Sequence, residues 1–164
     1  MQFRRKVRYQ YRQIIIMGRR LPRKAPVSLI LQKYYLMQTY GNLIETCVVK
    51  NNLLTCIIKL KPSEESGFYR VKVQYKLSGY SPDAWLLTPE LKKMNGKYPH
   101  HIYGWDQKGH PQLCVYYPGY KEWNQQMIIA NSFIPWISTW LNAYEYWLIT
   151  GEWQYDERRI MKSL

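Results

Sequence analysis

The stretch Leu43-Ile44-Glu45-Thr46-Cys47-Val48-Val49-Lys50-Asn51-Asn52-Leu53-Leu54-Thr55-Cys56-Ile57-Ile58-Lys59-Leu60 decides how the chain folds. Asn51-Asn52 suits a two-residue hairpin turn, whose central residues need positive φ. The register that follows sets Lys50 against Leu53 and Cys47 against Cys56. In that register Leu43, Cys47 and Val49 share one face with Leu54, Cys56, Ile58 and Leu60, while Lys50, Lys59 and Lys61 lie opposite. The two thiols are cross-strand neighbours within disulfide reach, and in a reducing compartment they are expected as two packed thiols.

Downstream the alternation continues. Tyr69, Val71, Val73, Tyr75 and Leu77 alternate with Arg70, Lys72, Gln74 and Lys76, and a short apolar run from Ala84 to Leu87 follows the Gly79-Tyr80-Ser81-Pro82 turn. The expectation is an α+β domain built on a four-stranded antiparallel meander with one apolar face. Upstream, Ser28 is placed to cap a helix from about Leu29 to Thr39, with Ile30, Tyr34 and Met37 on one face and Gly41 as a stop. Beyond the meander, 92–109 has no periodicity and reads as a functional loop. The clearest helix comes last: Ser132 caps it, Pro135 sits in its first turn, Gly151 closes it, and Trp136, Trp140, Tyr144 and Trp147 form a stripe read as core packing against the sheet.

Composition bounds the function. In 164 residues, 46% hydrophobic and 16% aromatic, there is room for one domain with a sizeable core. We divide the chain into a basic extension and linker, 1–26, and a folded domain, 27–164. The most hydrophobic segment, 127–150, is interrupted by Asn131, Pro135, Asn142 and Glu145 and is not expected to span a bilayer. Ile14 to Met17 is too short for the apolar region of a signal peptide, so a cytoplasmic protein is expected. The net charge of +13 is uneven: from Met1 to Ile44 there is no Asp or Glu, while Arg and Lys recur from Arg4 to Lys33. Such an arm attracts anionic surfaces, nucleic acid among them, and Val7 to Met17 could add a strand.

Three cysteines without C-x-x-C or mixed Cys/His metal spacing speak against a zinc site, and no cofactor is implied. Cys47 and Cys56 have places in the hairpin; Cys114 does not. It stands in Gly109-His110-Pro111-Gln112-Leu113-Cys114-Val115-Tyr116-Tyr117-Pro118, where a polar loop enters a β-prone run, so the thiol is expected at the rim of a sheet. A thiol is nucleophilic as thiolate and benefits from a polarising neighbour. The chain's three histidines, His100, His101 and His110, all lie within fifteen residues upstream of Cys114.

The order helix, meander, long loop, Cys114, Trp123, covering helix resembles the ubiquitin-conjugating-enzyme fold. Leu113-Cys114-Val115-Tyr116-Tyr117-Pro118 occupies the place of that family's Cys-Leu-Asp-Ile-Leu-like run, with Trp123 nine residues after the cysteine. His110-Pro111-Gln112-Leu113-Cys114, Pro135-Trp136 and Gly151-Glu152-Trp153 look like the bacterial relatives found in anti-phage cyclic-oligonucleotide signalling (CBASS) operons. The resemblance implies that Cys114 accepts an acyl group as a thioester and passes it to an amine. In those relatives the donor is the C-terminus of a partner, a cGAS-like nucleotidyltransferase. No Gly-rich phosphate loop precedes a helix, so the chain is not expected to activate a carboxylate itself: either a separate activating enzyme loads Cys114 or the partner arrives by another route. Eukaryotic members carry His-Pro-Asn about ten residues before the cysteine, the Asn steadying the oxyanion; here that region reads Tyr98-Pro99-His100-His101-Ile102 and offers no Asn. His110 and His101 are the candidates for the missing hydrogen bond or for deprotonating the attacking amine, with His110 ahead on proximity in sequence.

Two other classes fit some of the same residues. A cysteine hydrolase needs the Cys and His in contact and a third orienting group, for which Asp106 and Asn95 are weak candidates. A non-catalytic nucleic-acid-binding module would use the basic arm and be indifferent to Cys114.

Overall fold

The computed structural model describes residues 25–116 and 122–154. The strand expected in Val7 to Met17 and most of the linker lie outside the described residues. In order, helix α1 (Leu29–Tyr40) and a 3-10 turn (Gly41–Leu43) lead into β1 (Ile44–Lys50), β2 (Leu53–Leu60), β3 (Tyr69–Tyr75) and β4 (Asp83–Thr88). Then come β5 (Ile102–Trp105), β6 (Pro111–Leu113), a 3-10 turn (Ile129–Asn131) and α2 (Phe133–Thr150).

The hairpin has the register its turn dictates. Asn51 and Asn52 sit at φ 52° and 57°, the twist that lets β1 and β2 close over two residues. Cys47 faces Cys56, and Lys50 faces Leu53. Both thiols are buried and unbridged. Cys56 donates toward Cys47, and that bond together with burial pushes its thiol well above the usual range. Leu54, Cys56 and Ile58 are 0% exposed, as are Val71, Val73 and Ala84 on the same face of β3 and β4. α2 covers this face through Phe133, Ile137, Trp140, Leu141, Tyr144 and Trp147, all buried.

Among the described residues the antiparallel sheet has six strands, in the order β1-β2-β3-β4-β6-β5, two more than the four of the expected meander. β5 comes from the end of the stretch read as a loop, and β6 from the β-prone run that follows it. These strands are only four and three residues long, too short to leave a period in sequence. Hydrogen bonds from Asp106 N–H to the His110 carbonyl and from Gly109 N–H to the Asp106 carbonyl close the turn between them.

α1 also departs from expectation in which face it buries. Ser28 Oγ accepts from the Leu31 amide, as a cap should, yet Ile30, Tyr34 and Met37 are 66%, 55% and 42% exposed. The buried set is Leu29, Gln32 and Leu36. A glutamine on the inward face hides the apolar period, and its burial is tolerated because both ends of the amide are paired. Gln32 Nε2 donates to the Met127 carbonyl and Oε1 accepts from the Ile129 amide, each at 2.8 Å. These bonds tie α1 to the segment that leads into α2.

At the start of α2, Ser132 Oγ donates back to the Ile128 carbonyl instead of capping the helix, because the 3-10 turn runs straight into α2. Gly151 closes the helix at φ 79°, its amide donating to the Trp147 carbonyl. Among the described residues no helix is long and apolar enough to cross a membrane, and no three His, Cys, Asp or Glu side chains are grouped to hold a metal ion.

Candidate functional site

The β5–β6 hairpin decides which predicted site residues meet. Ile102 pairs with Leu113, so the next pair outward is His101 and Cys114, and the Cys114 amide donates to the His101 carbonyl at 3.1 Å. Residues opposed in this way have Cβ atoms roughly 5 Å apart. Leu113 and Val115 point into the core, 2% and 8% exposed; by the strand alternation Cys114 points the other way and is half-buried at the sheet's rim. Its Sγ lies 3.8 Å from the Tyr116 carbonyl oxygen.

His101 is held from three sides. Its carbonyl also accepts from Trp140 Nε1 of α2, at 2.8 Å, so one oxygen links the covering helix to the Cys114 backbone. Its ring lies against Trp153, centroids 4.8 Å apart, and Trp153 meets Trp140 edge-on at 5.4 Å. The Gly151 turn at the end of α2 thus brings Trp153 back onto the histidine.

His110 is placed elsewhere. It stands four residues before Cys114, at the opposite end of β6, a separation of about 13 Å along an extended strand. Its Nδ1 faces Asp106 Oδ2 at 3.0 Å. The same carboxylate accepts from the Lys108 and His110 amides, each at 2.9 Å, and from Lys72 Nζ of β3 at 3.4 Å. The His110 backbone bond is the strongest of the influences that hold the Asp106 carboxyl far below the usual carboxylate range. Lys72 in turn lies 4.5 Å over the Trp85 ring. Asp106 thereby fastens the β5–β6 turn to the middle of the sheet. His100, the third histidine, is exposed just before His101.

The sequence reading missed Tyr103. The pairing of β5 with β6 shifts between Ile102 and Gly104, which leaves Tyr103 as the extra residue of a bulge, a feature that re-aims a side chain. Its hydroxyl donates to the Tyr116 carbonyl at 2.8 Å, the oxygen that Cys114 Sγ also faces. The Tyr116 ring stacks on Trp136 of α2, centroids 5.7 Å apart. One of sixteen tyrosines carries no mark of this role; only the unrecognised hairpin could have singled it out.

Chemically, the rim offers a sulfur nucleophile, a histidine paired with it on the facing strand and a phenol hydroxyl that shares a carbonyl acceptor with the sulfur. Trp123 is buried, not at the rim: it packs edge-on against Tyr75 and Phe133. A family described as Type II CBASS E2 protein matches residues 32–160 of the chain. No curated protein matches it.

Proposed function

The chain belongs to the Type II CBASS E2 proteins, and from that premise we propose that Cys114 carries a partner protein's C-terminus as a thioester and hands it to an amine. The supporting observation is the different placement of the three cysteines. Cys47 and Cys56 are buried where the first two strands pair, whereas Cys114 sits half-buried at the rim with His101 across from it.

In the proposed sequence the Cys114 thiolate attacks the carbonyl carbon of the donor's C-terminus. The C–S bond forms and the group that activated the carboxyl leaves with its electron pair. A free carboxylate has no such leaving group, so the donor arrives activated by a separate enzyme. An amine then attacks the thioester carbon, the tetrahedral intermediate collapses, the C–S bond breaks and Cys114 departs as thiolate. The proton lost by the amine goes to His101 or to water. We take the donor to be the cGAS-like nucleotidyltransferase of a CBASS operon. His110, tied to Asp106, is assigned to holding the hairpin in shape; His101 is the histidine within reach of the acyl group.

Co-expression with the operon's nucleotidyltransferase and non-reducing electrophoresis test this reading. A thiol-labile adduct is expected in the wild type, in Cys47→Ala and in Cys56→Ala, and none in Cys114→Ala. Persistence of the adduct in Cys114→Ala overturns it.

A further inference from the structure

We infer that Tyr103 is a catalytic residue of this site, its hydroxyl donating the hydrogen bond that stabilises the oxyanion formed each time the acyl carbon at Cys114 becomes tetrahedral. The inference rests on the reading of Cys114 as the acyl carrier. It supplies a group that the sequence leaves open, since no Asn stands in the Tyr98–Ile102 region.

Three observations carry it. Tyr103 Oη and Cys114 Sγ address one oxygen, the Tyr116 carbonyl, at 2.8 and 3.8 Å, so hydroxyl and sulfur are no farther apart than those two distances end to end. An acyl group on Sγ extends its carbonyl oxygen from the sulfur, and the hydroxyl hydrogen reaches it by turning about the Cζ–Oη bond while the ring stays in place. Second, Tyr103 occupies a bulge, so the hydroxyl is brought over the rim by a backbone irregularity that costs the edge strand a regular pairing. Third, Tyr103 is 51% exposed, so its burial contributes little to the core. The ring fixes the hydroxyl oxygen beforehand, so exchanging the Tyr116 carbonyl for the oxyanion takes one rotation of the O–H bond, and a donor aimed where negative charge develops lowers the barrier.

The step balances as follows. In loading from a thioester, the Cys114 thiolate adds to the carbonyl carbon and the C=O π pair moves onto oxygen, where Tyr103 O–H donates to it. The pair returns, the old C–S bond breaks and the donor's thiol leaves as thiolate. Aminolysis passes through the same oxyanion with Cys114 as the leaving thiolate and the amine proton passing to base.

The test uses the full chain, a short peptide mercaptoethanesulfonate thioester as donor and hydroxylamine as acceptor. Tyr103→Phe keeps the ring and removes the hydroxyl. Loading and discharge are expected to slow by about 10²-fold, the scale found when one oxyanion donor is removed. Alkylation of Cys114 by iodoacetamide, which displaces iodide at a saturated carbon and forms no oxyanion, is expected to stay at the wild-type rate. Acyl transfer within twofold of wild type overturns the assignment while leaving Cys114 in its role. An equal fall in alkylation overturns it too, because Tyr103 would then be positioning the sulfur. If the wild type itself fails to load, the Cys114 reading falls, and Tyr103 with it.

Discussion

Replacing Trp140 by Phe tests whether the covering helix holds the rim. Trp140 is 4% exposed and its Nε1 donates to the His101 carbonyl at 2.8 Å, the oxygen that also accepts the Cys114 amide. Losing one such bond costs about 1 kcal/mol, and shrinking an indole to a phenyl ring in a filled core removes a further ~1–2 kcal/mol of burial. The total of about 2–3 kcal/mol corresponds to a fall in Tm of roughly 5–10 °C for a chain of this size. The loss should also be local. With one anchor gone, the β5–β6 end opens more often, and the Cys114 amide is expected to exchange with solvent at least tenfold faster relative to the amides of β2 and β3. Exchange at Cys114 that changes only in proportion to global stability would refute the link between α2 and the site.

The Asp106 network should give a pH signature. Because the folded carboxyl titrates below its unfolded value, its contribution is present above the ordinary carboxylate range and is lost as pH falls below about 4. Asp106→Asn is expected to flatten the loss of denaturant midpoint between pH 6 and pH 3 and to leave Cys114 alkylation unchanged; a wild-type pH dependence in the variant would count against the assignment. Cys56→Ala, which truncates a fully buried side chain, should lower stability by about 1–3 kcal/mol and Cys47→Ala by less, measured by urea unfolding. Asn51→Ala with Asn52→Ala removes the amide side chains that make left-handed backbone tolerable at both positions and should cost about 1–2 kcal/mol by the same measurement, whereas glycine at both positions should be tolerated.

The fold was legible wherever an element was long enough to repeat. The register of Cys47 on Cys56 followed from a turn dipeptide and a two-residue period, and the aromatic stripe of α2 from its three- and four-residue spacings. The period failed where a polar residue took a core position: Gln32, satisfied at both ends by Met127 and Ile129, turned the apparent apolar face of α1 outward. It also failed where strands were short: β5 passed for loop, and β6, read only as a β-prone run, was not paired with it. That omission governed the site. Distance along the chain favours His110 as the neighbour of Cys114, whereas a hairpin pairs residues that are far apart in sequence, so Cys114 is bonded to the His101 backbone and shares the Tyr116 carbonyl with Tyr103, while His110 is bonded to Asp106 at the turn.

Mass spectrometry of the intact product formed with the CBASS nucleotidyltransferase and its activating enzyme tests the central proposal most directly. The account predicts a species equal to the two chains less one water, cleaved by neutral hydroxylamine, with the donor's last residue mapped to Cys114. A linkage that resists hydroxylamine in the first product formed, or one that maps to Cys47 or Cys56, would contradict it.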